Sequence, residues 1–309
     1  MRVLVKTKGL SHEEWLKYRT QGIGGSDVSV LAGLNPYKSV YQLWREKTGQ
    51  AEPVETDSEY AHFGTVLEPV VRKEFMKRTG IKVRARNMLL QSSEHPFMLA
   101  NLDGVIKEKD EMVIFEAKTA SAYKQKIWEE GVPPEYLLQI QHYMAVTGAR
   151  KTYIAALVGG NHFYFHEVFR DEKLIAQIIA MEEHFWKVHV IGGKEPIPDG
   201  SRATTIQMNE RFPVSNGKPV QLPEEALSIC SRYDTLSEQI RKLEEEKAAA
   251  VNQLKNYMRE CETGIVGNRK ITWKMVSKSS VDTKRLKEEQ PEIYEAYLSE
   301  SQYRKFTVA

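Results

Sequence analysis

Three residues able to do chemistry stand close together in this chain: Asp103, just before Gly104, and Glu116 and Lys118 on either side of Ala117. Residues 113–118 read Val-Ile-Phe-Glu-Ala-Lys, a β-branched and aromatic run without Gly or Pro, and that predicts a strand. Alternation along a strand places Glu116 and Lys118 on one face and Phe115 and Ala117 on the other. Asp103 falls at the edge of a predicted hairpin that returns through residues 107–110. Two acids and a lysine converging on one face of a mostly apolar sheet is a costly arrangement. A divalent cation between the acids offsets that cost. Hard oxygen ligands suit Mg²⁺ or Mn²⁺, either of which activates water against a phosphodiester.

The elements that must position these groups are legible in outline. Ser11 and Glu14 have capping-box spacing and open a helix through about residue 19. A glycine-rich turn, residues 22–27, leads into a short helix ending near Gly33, and a third helix covers residues 40–47. Residues 50–59 read as an exposed loop. Residues 64–79 read as a helix with Leu67, Val70, Val71 and Phe75 on its buried side and Gly80 as its stop. Pro133 and Pro134 open a helix to about residue 147, stopped by Gly148. Strands are expected at 151–158 and 161–169, and a long amphipathic helix at 171–190. The chain thus divides into a core over residues 1–192, a linker over 193–221 rich in Pro, Gly and Ser, and an extension over 222–309. In the extension Ile229, Tyr233, Leu236, Ile240, Leu243, Ala250, Leu254 and Tyr257 form a heptad-like seam. A hairpin strand at 271–276 and a basic tail follow.

Composition narrows the class without naming it. The 309 residues are 41% hydrophobic and 28% charged, with a formal net charge of +2, so any grip on nucleic acid must come from local patches. Cys230 and Cys261 lack metal-ligand or redox spacing, which argues against a zinc ribbon, an iron–sulfur cluster or a disulfide framework. The N-terminus carries no signal-peptide h-region and no apolar run approaches membrane length, so a cytoplasmic protein without a membrane partner is expected.

Further residues have both a chemical and a plain reading. Arg19, Ser26 and the Gly24–Gly25 backbone form a candidate phosphate site, since a glycine turn entering a helix exposes free N–H groups; the plain reading is a capped helix after a tight turn. Asp27 beside an anion is unfavourable, so it is expected to cap the helix or bond Arg19. Glu68, directly before Pro69, reads as an acid in the first turn of a helix, favoured there by the helix dipole. Gln139 and Tyr143 are i, i+4 neighbours and share a face, whereas Gln141 points about 200° away from Gln139. His142, His162 and His166 form no convincing metal set. Trp44, Trp128 and Trp186 read as core anchors.

Taken in order, these segments resemble the YqaJ-type viral recombinases, relatives of phage lambda exonuclease within the PD-(D/E)xK nuclease superfamily. The resemblance rests on Arg19 with residues 22–27 (GIGGSD), 33–37 (GLNPY), 43–49 (LWREKTG), 64–69 (GTVLEP), 102–104 (LDG), 115–118 (FEAK) and 139–143 (QIQHY). It implies an α/β, restriction-endonuclease-like core, a central mixed β-sheet flanked by helices, with a helical C-terminal extension. It implies one or two Mg²⁺ ions, with Mn²⁺ substituting, held by Asp103, Glu116, the Ala117 carbonyl and Glu68. Lys118 would orient or deprotonate the attacking water, or stabilise the developing phosphorane charge. Arg19, Gly25 and Ser26 would hold a terminal 5′-phosphate. For the glutamine motif the resemblance leaves both Gln139 with Tyr143 and Gln141 in play. Lambda-type members degrade the 5′ strand of duplex DNA ends, leaving 3′ tails for an annealing partner, and work as trimeric rings. The same reading places the protein in the bacterial host cytoplasm if phage-encoded. The rival readings are a site- or structure-selective endonuclease of the same superfamily, a non-catalytic DNA-binding recombination scaffold, and a coiled-coil interaction protein.

Overall fold

The computed structural model describes residues 1–52 and 59–308. The chain forms two compact units, Met1–Arg211 and Phe212–Ala309. The first contains β1 (Arg2–Lys6), α1 (His12–Arg19), β2 (Ile23–Gly24), α2 (Gly25–Leu31), α3 (Val40–Lys47), α4 (Glu59–Thr79), β3 (Met88–Gln91), β4 (Met98–Asn101), β5 (Gly104–Glu108), β6 (Glu111–Ala120), α5 (Gln125–Glu130), α6 (Pro134–Thr147), β7 (Lys151–Val158), β8 (His162–Phe169), α7 (Glu172–His184) and α8 (Arg202–Arg211). Its strands make two mixed four-stranded sheets, ordered β1-β3-β4-β2 and β5-β6-β7-β8, with helices packed on them. This is the mixed α/β architecture expected of the core.

The second sheet carries the chemistry. β5 and β6 pair as an antiparallel hairpin, whereas β6 and β7 run parallel. A parallel pair needs a crossover, and α5 and α6 supply it. Val113, Ile114 and Phe115 are buried on both faces of the sheet, which explains an apolar run where strict alternation would suit a half-exposed strand. On one face Phe75 of α4 packs against Phe115 and Tyr153, with ring centroids 5.0 and 5.4 Å apart, so α4 lies across β6 and β7. On the other, Ile140 of α6 packs with Trp128, Ile154 and Ala156. Trp44 is buried and its indole N–H donates to the His189 carbonyl at 2.9 Å, and Trp128 is fully buried, as core anchors should be. Residues Phe185–Ile191 continue α7 as a π-wound segment where a regular helix to 190 is expected.

Two expectations are corrected. α4 begins at Glu59 rather than at 64, so Pro69 lies inside the helix and Glu68 in its middle; a helix-dipole account of Glu68 therefore fails. The helix continues through Pro69 because Val71 and Phe75 anchor the turns that follow it in the core, packing that outweighs the lost backbone hydrogen bond. The stretch over 193–221 is not wholly extended: α8 forms there and buries Ala203, Thr204 and Gln207. Of the loop expected over 50–59, residues 53–58 lie outside the described residues.

The second unit contains α9 (Glu225–Met258), the hairpin β9 (Thr263–Val266) and β10 (Arg269–Thr272), α10 (Thr283–Glu289) and α11 (Pro291–Ala296). The heptad seam lies on α9, where Ile229, Leu236, Ile240 and Leu243 are exposed. The strand expected at 271–276 is β10, set slightly earlier, turning at Gly267 with φ +56°.

Candidate active site

The hairpin, α4 and α6 meet at one edge of the second sheet. β5 begins at Gly104, which pairs with Phe115, so β6 runs on past the end of its neighbour. The backbone N–H of Ala117 is left without a ladder partner on that side, and Asp103 Oδ2 accepts it at 2.9 Å. In a strand a residue's carbonyl points to the same side as its N–H, so the Ala117 carbonyl also faces Asp103. Gly104 is required there: a Cβ would stand 2.5 Å from Val83 Cγ1.

Glu116 and Lys118 share a face, and Lys118 Nζ donates to Glu116 Oε1 at 2.6 Å. Gln139 Nε2, reaching down from α6, donates to the same oxygen at 2.8 Å and to Tyr143 Oη at 2.9 Å. The other Glu116 oxygen, Oε2, is buried with no hydrogen-bond partner. From α4, Arg72 Nη1 donates to Glu68 Oε1 at 3.2 Å and to the Asp103 carbonyl at 3.1 Å, tying the Glu68 side chain to the Asp103 backbone. Glu68, Asp103, Glu116, Ala117 and Lys118 line one open cavity of about 360 Å³ with Gln139 and Tyr143.

Burial, then the Asp103 charge, pushes the Glu116 carboxyl up to about 8. Burial raises Asp103, and burial with the Asp103 charge raises Glu68. Burial works to lower the Lys118 ammonium, but Glu116 and Asp103 overcome it and hold the proton on. Three carboxyls whose burial outweighs the help of Lys118 and Arg72, one buried oxygen without a donor and a free-edge carbonyl form a set of hard oxygens short of positive charge. This fits a divalent cation. Among the described residues no three His, Cys, Asp or Glu side chains close into a cage.

A second, smaller cavity of about 100 Å³ adjoins the first, with Tyr143 and Asn101 lining both. Here Arg19 Nη2 donates to Ser26 Oγ at 3.1 Å, and its guanidinium lies 5.0 Å from the Trp15 ring centroid. Asp27 accepts the Gly24 N–H at 3.0 Å and pairs with Lys47 at 2.8 Å and Arg19 at 3.6 Å. Burial works to raise Asp27, but Lys47 and Arg19 hold it well below the usual carboxylate range. Lys47 thus neutralises Asp27 and leaves Arg19 to face the cavity. Gly25 lets α2 approach α6: a Cβ there would stand 2.5 Å from the Tyr143 ring and 2.9 Å from Gln139.

Sequence reasoning placed Gln139 and Tyr143 at the site but missed other partners. Gln141 lies elsewhere: its Nε2 donates to the Phe169 carbonyl at 2.8 Å and its Oε1 accepts the Asp171 N–H at 3.0 Å. His142 Nε2 donates to the Leu99 carbonyl at 2.8 Å, and Nδ1 shares a proton with Glu182 at 2.7 Å, binding α6 to β4 and α7. His166 contacts the Trp128 carbonyl instead of a metal set. Lys47 and Glu182 had no local signal, because each meets its partner across the fold; Arg72 had one only toward Glu68, four residues earlier on the same helix, and none toward the Asp103 carbonyl.

Against known proteins, residues 14–150 match the YqaJ-like viral recombinase domain. The chain is 41% identical over 310 residues to the protein YqaJ of Bacillus subtilis (strain 168), covering 99% of this chain and 97% of that one. Among solved structures it is similar to an alkaline exonuclease from Laribacter hongkongensis, at 19% identity and a TM-score of 0.49, covering 66% of this chain and all of that one. It is also similar to a phage-related exonuclease from Haemophilus somnus 129PT, at 11% identity and a TM-score of 0.44, covering 58% of this chain and all of that one. On the whole-chain identity to YqaJ and the domain match, this protein belongs to the YqaJ-like viral recombinase family.

Proposed function

We propose that the protein is a Mg²⁺-dependent DNA exonuclease that removes the 5′ strand from duplex ends and leaves 3′ single-stranded tails for strand annealing. The observation that carries this reading is the pairing of two cavities. One holds Glu68, Asp103, Glu116 and Lys118, the other Arg19 and Ser26, and they share Asn101 and Tyr143. Asp103, Glu116, Glu68 and the Ala117 carbonyl would hold the ion, with Mn²⁺ able to substitute. When bound it supplies Lewis-acid polarisation of the scissile phosphate and activation of water.

The protein's own groups do the rest. Asp103 is locked by the Ala117 N–H, and Glu116 is fixed by Gln139 and Lys118, so the ligand oxygens are pre-positioned. Lys118 keeps its proton, which favours the charge-stabilising role over the role of base. Arg19 and Ser26 would take the terminal 5′-phosphate and so set the distance from the end to the cut. The heptad face of α9 would serve self-association, a trimeric ring in this reading, or an annealing partner. No helix among the described residues is long and apolar enough to cross a membrane; the working compartment in this proposal is the host cytoplasm.

The test is digestion of linear duplex DNA labelled separately at each 5′ and 3′ end, with and without 5′-phosphate, beside a covalently closed circle. Loss of the 5′ strand that depends on Mg²⁺, Lys118 and the 5′-phosphate supports the reading. Cleavage of the closed circle would replace it with an endonuclease. No cleavage in Mg²⁺ or Mn²⁺ would leave a DNA-binding scaffold.

A further inference from the structure

A third cavity, of about 160 Å³, adjoins the metal-site cavity on its other flank, with Glu68, Asp103 and Asn101 lining both. Asn101 lines all three cavities, so they form a continuous row: Arg19 and Ser26, then the acids, then this one. Its walls are polar, and two arginines stand in them. Arg72 is committed through Nη1 to Glu68 and to the Asp103 carbonyl. Arg86 is not committed. Its Nε is buried without a hydrogen-bond partner, and among the described residues its guanidinium makes no ion pair. Asn87 completes the donor-bearing wall.

A buried guanidinium Nε–H without an acceptor is an unstable arrangement unless something supplies one. Two carboxylates line the same cavity, yet Arg86 does not bridge to either, so its charge is free for an incoming anion. A guanidinium fork matches phosphate oxygens in shape and charge. The amides of Asn87 and Asn101 add neutral donors.

We propose that this cavity is a phosphate subsite: Arg86, with Asn87 and Asn101, grips the backbone phosphate one linkage inward of the scissile one on the strand being cut. The proposal rests on the nuclease reading above. With the terminal phosphate at Arg19 and the scissile phosphate at the acids, three consecutive phosphates would lie in the row. That fixes the register at one nucleotide per cut.

The test uses the full-length protein and duplexes carrying a single methylphosphonate at each of the first four linkages of the 5′ strand. Single-turnover release of the first nucleotide is measured for wild type, Arg86→Gln and Arg86→Lys. On unmodified DNA, Arg86→Gln should be slower by about tenfold, the scale of one hydrogen bond to a charged group. A methylphosphonate at the second linkage should slow wild type about as much and Arg86→Gln no further, with Arg86→Lys between. In Ca²⁺, the salt dependence of duplex binding should lose about one unit of slope in Arg86→Gln. Effects of Arg86→Gln and the methylphosphonate that multiply at every linkage, or a wild-type rate and salt slope in Arg86→Gln, would overturn the subsite. Should wild type bind duplex without cutting it, the nuclease reading fails, and the salt slope alone decides whether Arg86 holds a phosphate. Melting temperatures of both variants separate loss of grip from loss of fold.

Discussion

In the nuclease reading proposed above, Glu116 makes metal binding a proton-exchange reaction. Its carboxyl is pushed up to about 8 from the ordinary 4.5, chiefly by burial and then by Asp103. The sign follows from linkage. Below pH 4.5 both folded and unfolded chains carry the proton, and the group costs nothing. Between pH 4.5 and 8 the folded chain keeps a proton that the unfolded chain has released, so stability falls as pH rises. The loss levels off above pH 8, at about 5 kcal/mol for a shift of this size. A cation on Glu116 Oε2 reverses this, because it needs the ionised form. Its affinity should therefore fall about tenfold per pH unit below 8 and level off above it.

The assay is titration calorimetry of Mn²⁺ into the DNA-free protein, in pairs of buffers with different ionisation heats, at pH 6.5 and pH 9. About one proton should leave per ion at pH 6.5, and few at pH 9. Glu116→Gln should weaken binding and remove the proton release. At pH 9, without metal, Glu116→Gln should melt several degrees above wild type, since it deletes a buried charge; the gain is smaller than the full linkage figure because the amide no longer pairs with the Lys118 charge. Tight Mn²⁺ binding at pH 6.5 with no proton release would refute the reasoning, as would a lower melting temperature for Glu116→Gln at pH 9.

Three further outcomes are expected. Gln139→Ala should slow strand loss about tenfold or more, whereas Gln141→Ala should keep most of the activity and lose about 1–3 kcal/mol of stability for two part-buried backbone groups left unpaired; parallel end-label digestion and thermal melts check both. Gly25→Ala should drive a methyl into the Tyr143 ring, costing about 1–3 kcal/mol and displacing Gln139 from Glu116, so a thermal melt and a digestion should fall together. Lys47→Met leaves Asp27 buried with the longer Arg19 contact as its remaining ion pair beside the Gly24 N–H, and chemical denaturation should read a loss of about 3–5 kcal/mol, growing smaller in Asp27→Asn/Lys47→Met.

What could be read in the sequence was what has a local period. Glu116 and Lys118 share a face because strands repeat every two residues, and Gln139 and Tyr143 share one because helices repeat every 3.6; both pairs meet in the structure. The same arithmetic sent Gln141 the other way, and it does lie against Phe169 and Asp171. Lys47 on Asp27, Glu182 on His142 and Arg72 on the Asp103 carbonyl have no period to betray them, since tertiary packing alone brings each pair together. The start of α4 was misplaced for the opposite reason: Gly64 and Pro69 are strong local breakers, and contacts made by Val71 and Phe75 with β6 and β7 overrode them.

The charges along the three cavities explain why the acids tolerate burial at all. Burial raises each carboxyl of the middle cavity, and the Asp103 charge adds to it for Glu116 and Glu68; once ionised, the three would repel a phosphate as surely as they attract a cation. On either side stands a guanidinium whose charge the acids do not cancel by contact: Arg19, whose near acid is already neutralised by Lys47, and Arg86, which has no ion pair among the described residues. Positive, negative, positive is the wrong order for a phosphate chain alone and the right order for a phosphate chain with a divalent cation at its centre. In the nuclease reading proposed above, neither DNA nor metal satisfies the row without the other, so each should raise the affinity for the other by the same factor, as linkage requires. The cost of burying three acids is thus offset only in the complex poised to react, which is where a hydrolase gains from spending binding energy.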